Sequence, residues 1–148
     1  MKNGIDHPPL PEGVRTSLEK RLNRSGHFHN HLGIALEDAR TGWARLRMDI
    51  KPELINVFGI LHGGAVFSLV DTAMGTALIG LLAEKEGMAT VEAKINYISP
   101  VREGTITAEA EVTHRGRRTA VIESRVTDAR GRSVAVALGT YLILEPGG

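Results

Sequence analysis

The chain has 148 residues, 42% hydrophobic and 24% charged, with a net charge of +1 and no cysteine. That composition fits one globular domain with a substantial core. It excludes disulfides, thiolate metal ligands and a cysteine nucleophile. A balance this close to neutral, with only 4% aromatic residues, gives nucleic acid neither a strong field nor a stacking platform. The absence of cysteine fits a reducing compartment, and residues 1–24 hold no apolar run of signal-peptide length, so a cytoplasmic location is expected.

In chain order, residues 11–24 read as a short amphipathic helix, with Val14, Leu18 and Leu22 at helical spacing and Ser25-Gly26 as its stop. Residues 1–26 then form a helical extension to a single domain spanning 1–148. Strands are expected over 32–38 and 42–50 across a turn at Ala39-Arg40-Thr41. The second alternates cleanly, Ala44, Leu46, Met48 and Ile50 against Trp43, Arg45, Arg47 and Asp49. Residues 51–61 connect to a long apolar helix from Gly63 to near Ala83, ended by Glu84-Lys85-Glu86-Gly87. Four more strands are expected over 89–98, 105–114, 119–128 and 133–144. They are separated by turn-like breaks that imply antiparallel neighbours. Both faces of the long helix are apolar, so the economical packing is an α+β arrangement with one antiparallel sheet wrapped around it. The apolar run is long enough to raise a membrane span. Asp71, its hydroxyls and glycines, and the lack of anchors on both flanks favour a buried helix instead.

The stretch Asn56-Val57-Phe58-Gly59-Ile60-Leu61-His62-Gly63-Gly64 carries most of the chemistry. Two glycines at a helix start leave backbone N–H groups uncovered, ready to receive developing negative charge. Between Gly63 and Ala83 the only charged residue is Asp71. A lone carboxylate in an apolar helix is costly unless paired or used. Its neighbours one turn away, Phe67, Ser68, Met74 and Gly75, offer no cation. Bare amides together with an isolated carboxylate suit acyl transfer, with the carboxylate as base. Gly63 and Asp71 lie eight residues apart, about 12 Å along a helix. One helix does not easily bring both to one carbonyl carbon. Two antiparallel helices do, so the spacing favours a homodimer with composite sites.

The spacing Asn56 – His62-Gly63-Gly64 – Asp71 resembles the hotdog-fold acyl-CoA thioesterases, in particular the phenylacetate-degradation (PaaI-like) type. The runs from Thr90-Val91-Glu92 to Ser99-Pro100 and Ala137-Leu138-Gly139-Thr140-Tyr141 are similar to strands of that family, and the likeness covers roughly residues 28–145. The resemblance implies Asp71 as catalytic carboxylate, acting either as general base on water or as nucleophile. It implies Gly63 and Gly64 amides polarising the thioester oxygen, Asn56 near the thioester and attacking water, His62 in a supporting role, and Thr90 as a water-positioning hydroxyl. Asp71 with Gly75 one turn on puts the chain in the aspartate branch. The resemblance also implies acyl-CoA as substrate, aryl or medium-chain, with coenzyme A part of that substrate and no other cofactor or metal. The expected assembly is a dimer of dimers, a homotetramer. The rival functions are a hotdog hydratase or dehydratase and a non-catalytic acyl-CoA-binding module.

Each site residue also has a plainer reading. Asn56 favours turns anyway, His62 can simply start a helix, and Thr90 is a good strand residue. Asp71 can be satisfied by a partner from elsewhere in the fold. His27, His29 and His31 alternate, which in an extended segment would put neighbours of the set on one face, as in a metal site. No nearby Cys, Asp or Glu completes the ligands before Glu37, so solvent-facing or loop histidines are expected. The basic turn His114-Arg115-Gly116-Arg117-Arg118 reads either as a solvated hairpin tip or as a clamp for coenzyme A phosphates through Arg115, Arg117 and Arg118.

Overall fold

A computed structural model describes residues 6–146. Two short helices, α1 (Glu12–Leu22) and α2 (Phe28–Leu32), lead into the hairpin of β1 (Ile34–Arg40) and β2 (Trp43–Asp49). A 3-10 turn at Pro52–Leu54 precedes the long helix α3 (Gly63–Ile79). Strands β3 (Gly87–Tyr97), β4 (Thr105–Arg115), β5 (Thr119–Asp128) and β6 (Ser133–Leu144) follow. The six strands form one sheet in the order β1-β2-β4-β5-β6-β3, and every neighbouring pair is antiparallel.

The sheet curls around α3, the α+β hotdog architecture the apolar helix required. Residues from Ala73 to Leu78 are all buried, so the helix is covered on every side. Its cradle is built from the inward residues of each strand. Leu46 and Met48 pack beside Ile106, Ile122 and Val126, while Ala44, Ala108, Ala110 and Ala120 stay small enough for the helix to approach. Gly139 marks the tightest approach: a Cβ there would stand 2.9 Å from Met74 Sδ and 3.3 Å from the Glu92 carbonyl.

Several boundaries differ from the sequence expectation, each for a local reason. The first helix closes at Leu22, with Asn23 as its C-cap, ahead of Ser25-Gly26. The first strand starts at Ile34, because residues 28–32 turn into α2 and Gly33, at φ 74°, ends it in the left-handed region. The hairpin turns on Thr41-Gly42, with Gly42 at φ 76°. A bulge between Leu36 and Asp38 gives β1 an extra residue, so Ala39 and Arg40 still pair with Ala44 and Trp43. Helix α3 ends at Ile79 with Gly80 as its C-cap, where a Cβ would lie 2.6 Å from Leu10 Cδ2. Among the described residues no helix is long and apolar enough to cross a membrane.

The two sheet edges differ. At the β1 edge, Pro9 bridges to Arg40, and the Pro8 carbonyl accepts from the Thr41 N–H. Among the described residues the β3 edge has β6 on one side and no strand on the other. Along it Val91 is 60% exposed, Tyr97 54%, and Ile98, just beyond the strand, 54%.

Candidate active site

The start of α3 forms one half of the site. Asn56 Oδ1 accepts from the Phe58 N–H (2.9 Å) and the Ile60 N–H (3.3 Å), folding residues 56–61 into a tight loop. Two amide donors on that atom fix the orientation of the side chain and, among the described residues, leave its Nδ2 as an unspent donor. His62 is the N-cap of α3. Its Nδ1 accepts from the Gly64 N–H at 2.8 Å, and its carbonyl accepts from the Ala65 (2.9 Å) and Val66 (3.3 Å) amides. Among the described residues, that leaves the Gly63 N–H as the helix-terminal amide with no partner. The two glycines named from the sequence thus differ: Gly64 is spent on the cap and Gly63 is bare. The Tyr97 hydroxyl donates to the Gly63 carbonyl at 2.8 Å, and its ring lies so close that a Cβ on Gly63 would stand 3.1 Å from Tyr97 Cζ. Burial pushes the Tyr97 phenol up, so it remains a donor. Asn56, Gly63, Val66 and Tyr97 line a cavity of about 280 Å³.

The other half lies two turns along α3. Asp71 Oδ1 accepts from Thr90 Oγ1 on β3 (2.9 Å) and from the Tyr141 hydroxyl on β6 (2.7 Å). Tyr141 also reaches the Asp71 carbonyl at 2.9 Å. Thr90 and Tyr141 are register partners, so the β3–β6 ladder delivers both hydroxyls together. Tyr141 is 2% exposed. Burial, reinforced by its hydrogen bond to Asp71, pushes its phenol far up, so it stays protonated and can only donate toward the carboxylate. Asp71 is therefore partnered from elsewhere in the fold, but by neutral hydroxyls crowded onto one oxygen. Among the described residues Oδ2 has no hydrogen-bond partner, and no cation pairs with the group. Asp71, Thr90 and Tyr141 border a second cavity, of about 250 Å³.

Within one chain these halves are separate: Asn56 and Gly63 share one cavity, and Asp71 and Thr90 share another. The basic turn is also divided. Arg115 is engaged by Glu86 (Nη2–Oε2 2.7 Å) and by the Gly116 and Arg117 carbonyls. Arg117 and Arg118 are exposed. The Ala83 N–H, opposed by partial burial and aided by Arg115, holds Glu86 below the usual carboxylate range. The histidine trio lies in and beside α2 rather than in an extended run, and His29 Nε2 is hydrogen-bonded to the Leu22 carbonyl (2.8 Å). Among the described residues no group of three or more His, Cys, Asp or Glu side chains is placed to hold a metal.

Tyr141 and Tyr97 are the residues sequence reasoning assigned no role. The available signal was chemical: a tyrosine inside a strand of small and apolar residues must find a partner for its hydroxyl.

Comparison with known proteins follows the same lines. The thioesterase superfamily (4HBT) matches residues 58–135, more than half of the chain. A putative esterase of Saccharolobus solfataricus is 39% identical over 97% of this chain and 92% of its own. The acyl-coenzyme A thioesterase PaaI of Escherichia coli is 32% identical over 73% of this chain and 76% of its own. A solved structure of the E. coli PaaI protein from the phenylacetic acid degradation operon superimposes with a TM-score of 0.81 at 23% identity, covering 90% of this chain and 96% of that one. A bare amide at the start of a buried helix, a lone carboxylate two turns along it and these relatives converge: the chain belongs to the thioesterase superfamily, as a hotdog-fold thioester hydrolase of the PaaI-like type.

Proposed function

We propose that the protein hydrolyses acyl-CoA thioesters in a site shared by two protomers, with the Gly63 amide from one and Asp71 from the other. The observation that carries this reading is Asp71 itself. Among the described residues it has two hydroxyl donors on Oδ1, a free Oδ2 and no counter-ion, so one oxygen is held in place while the other is open to water or to the thioester carbon. As general base, Asp71 takes a proton from water as the hydroxide oxygen bonds to the carbonyl carbon. As nucleophile, it forms a mixed anhydride that water then opens. Either way the carbonyl oxygen becomes an oxyanion, and the Gly63 N–H at the positive end of α3 receives it. The carbon–sulfur bond breaks, the thiolate takes up a proton as coenzyme A, and the acyl group leaves as a carboxylate.

Asn56 Nδ2 supplies a second donor near the thioester. With Arg115 spent on Glu86, Arg117 and Arg118 are the cations available to coenzyme A phosphates. Membership of the family supports the thioester, and the activity named for the PaaI relative supports coenzyme A as its thiol. Aryl or medium-chain acyl groups suit the cavity sizes. The test is thiol release from acyl-CoA by wild type and by Asp71→Asn. The amide matches the carboxylate in shape but accepts no proton, so turnover should fall by about 10²-fold or more in a folded protein. Near-full hydrolysis by folded Asp71→Asn refutes the assignment, and hydration of an enoyl-CoA without thiol release would favour the hydratase.

A further inference from the structure

The cavity beside Asp71 has a direction. Asp71, Thr72, Gly75, Thr76 and Ile79 form one stripe of α3 along it, and Leu22 of α1 and Met88 of β3 stand across from them. The stripe runs eight residues from Asp71 to Ile79, about 12 Å of helix rise. Its threonines do not make it polar. Thr72 Oγ1 donates back to the Ser68 carbonyl and Thr76 Oγ1 to the Thr72 carbonyl, both at 2.7 Å. Thr90 and Tyr141 spend their hydroxyls on Asp71. Every hydroxyl lining the cavity is thus committed inside the protein, and below Asp71 the wall presents methyl and methylene groups. Such a surface accepts an apolar chain and gives nothing to the two amides of a pantetheine arm. The cavity at Asn56, with an unspent amide donor and the Ser99 side chain, suits that arm better. Gly75 keeps the wall open opposite Met88: a Cβ there would stand 3.1 Å from Met88 Cε.

Leu22 is held in place. It is the last residue of α1, and its carbonyl accepts from His29 Nε2 at 2.8 Å and from Asn30 Nδ2 at 3.1 Å, both on α2. Leu22, Ile79 and Met88 are half-buried and pack against the core. Two side chains of α2 thus brace the helix end that carries Leu22, which accounts for His29 in structural terms.

We infer that Leu22, braced by His29 and Asn30, closes the acyl end of the Asp71 cavity and sets the longest acyl group the enzyme accepts. This rests on the acyl-CoA thioesterase reading above. The substrate class is an unbranched acyl group of moderate length. A path of about 12 Å spans roughly nine carbon–carbon bonds, a chain of about ten carbons, at ~1.3 Å of advance per bond. Leu22 is a specificity residue and His29 a positioning residue that acts through it.

The experiment measures kcat/KM by thiol release on straight-chain acyl-CoA esters of increasing length, using the full chain. Wild type should show a steep fall beyond its limit, since one methylene too many in a fitted apolar pocket costs about 10- to 200-fold. Leu22→Ala should move that fall to longer chains by about two carbons, raising the first rejected ester at least tenfold. Leu22→Phe should move it to shorter chains, and Leu22→Met should leave it unchanged. His29→Ala should blur the limit while kcat on the shorter esters stays as in wild type, a result that general destabilisation would not give. Opposite shifts from Ala and Phe support the inference, and either one alone suffices should the other variant fail to fold. If wild type hydrolyses acyl-CoA but all folded Leu22 variants keep its length profile, the inference is overturned and the thioesterase reading stands. If wild type hydrolyses no acyl-CoA of any length, both fall.

Discussion

Replacing Tyr141 by phenylalanine isolates one atom of the site. The ring keeps its place in β6, and what disappears is the hydroxyl 2.7 Å from Asp71 Oδ1 and 2.9 Å from the Asp71 carbonyl. A hydrogen bond to a charged acceptor contributes about 1.5–3 kcal/mol. Thr90 remains on the same oxygen, so the lower end applies. The hydroxyl fixes Asp71 Oδ1 in place while Oδ2 stays open toward the substrate, so its loss should appear as a fall in kcat/KM. At about 1.4 kcal/mol per factor of ten, ~1.5 kcal/mol corresponds to roughly a tenfold fall. The assay is thiol release by wild type and Tyr141→Phe, with thermal unfolding as control. Stability should fall by about 1.5 kcal/mol and no more, because the Phe ring still fills the core. An unchanged kcat/KM in folded Tyr141→Phe would refute the account of how Asp71 is held.

Three other outcomes follow. Arg117→Ala and Arg118→Ala should raise KM for acyl-CoA with kcat retained, less so in high salt. Arg115→Ala should instead lower the melting temperature through its lost Glu86 partner; equal changes in KM for a truncated thioester would remove the phosphate clamp. Stability should decline as pH falls from about 5 toward 2, because Asp38, Glu86 and Asp128 are all held below the usual carboxylate range. Their folded-state values are the lower ones, so the contribution is complete above the unfolded-state values and lost through the folded ones; a flat melting temperature over that window would contradict it. Gly139→Val should destabilise severely by driving a side chain into Met74 Sδ, which chemical denaturation would reveal.

Much of this fold is legible in the sequence, because periodicity reports burial directly. The alternation in residues 43–49 and 105–112 survives as strands whose inward members are Leu46, Met48, Ile106 and Ala108. The helix around Asp71 is legible because nothing charged interrupts it. Short-range geometry was less so. A single bulge at residues 36–38 carried β1 past the expected turn, and α2 was hidden because five residues are too few to show a helical period. In the site, residue types revealed donors and acceptors but not which were already spent. Gly63 and Gly64 look alike in sequence, and only the His62 imidazole separates them. Arg115 and Arg117 look alike, and only Glu86 separates those. Tyr141 acts across the ladder from Thr90, a relation set by the β3–β6 register.

A site shared between two protomers, as proposed, makes a demand on the open β3 edge. This strand touches both halves: Thr90 meets Asp71, and Tyr97 meets Gly63. If β3 pairs antiparallel with a second copy about Ala93, Glu92 stands opposite the partner's Lys94, and each edge offers the opposite charge at the corresponding position. The same register sets Thr90 within about one residue of the partner's Tyr97, and so draws the Asp71 half of one chain to the Gly63 half of the other. It also covers Val91 and Ile98, both more than half exposed. Two variants test this. Asp71→Ala removes one half. Gly63→Pro removes the bare N–H at the first helical position, where the backbone accepts proline but its Cβ presses on Tyr97, so Asn56→Ala serves as a second variant of the same half. Each parent should be nearly inactive. Mixed in equal amounts after reversible dissociation, half the dimers should be mixed, each with one site holding both intact elements and one holding neither. Activity should then return to roughly a quarter of wild type. Mixed dimers as inactive as their parents would mean that both elements act from the same chain, and the shared site would have to be abandoned.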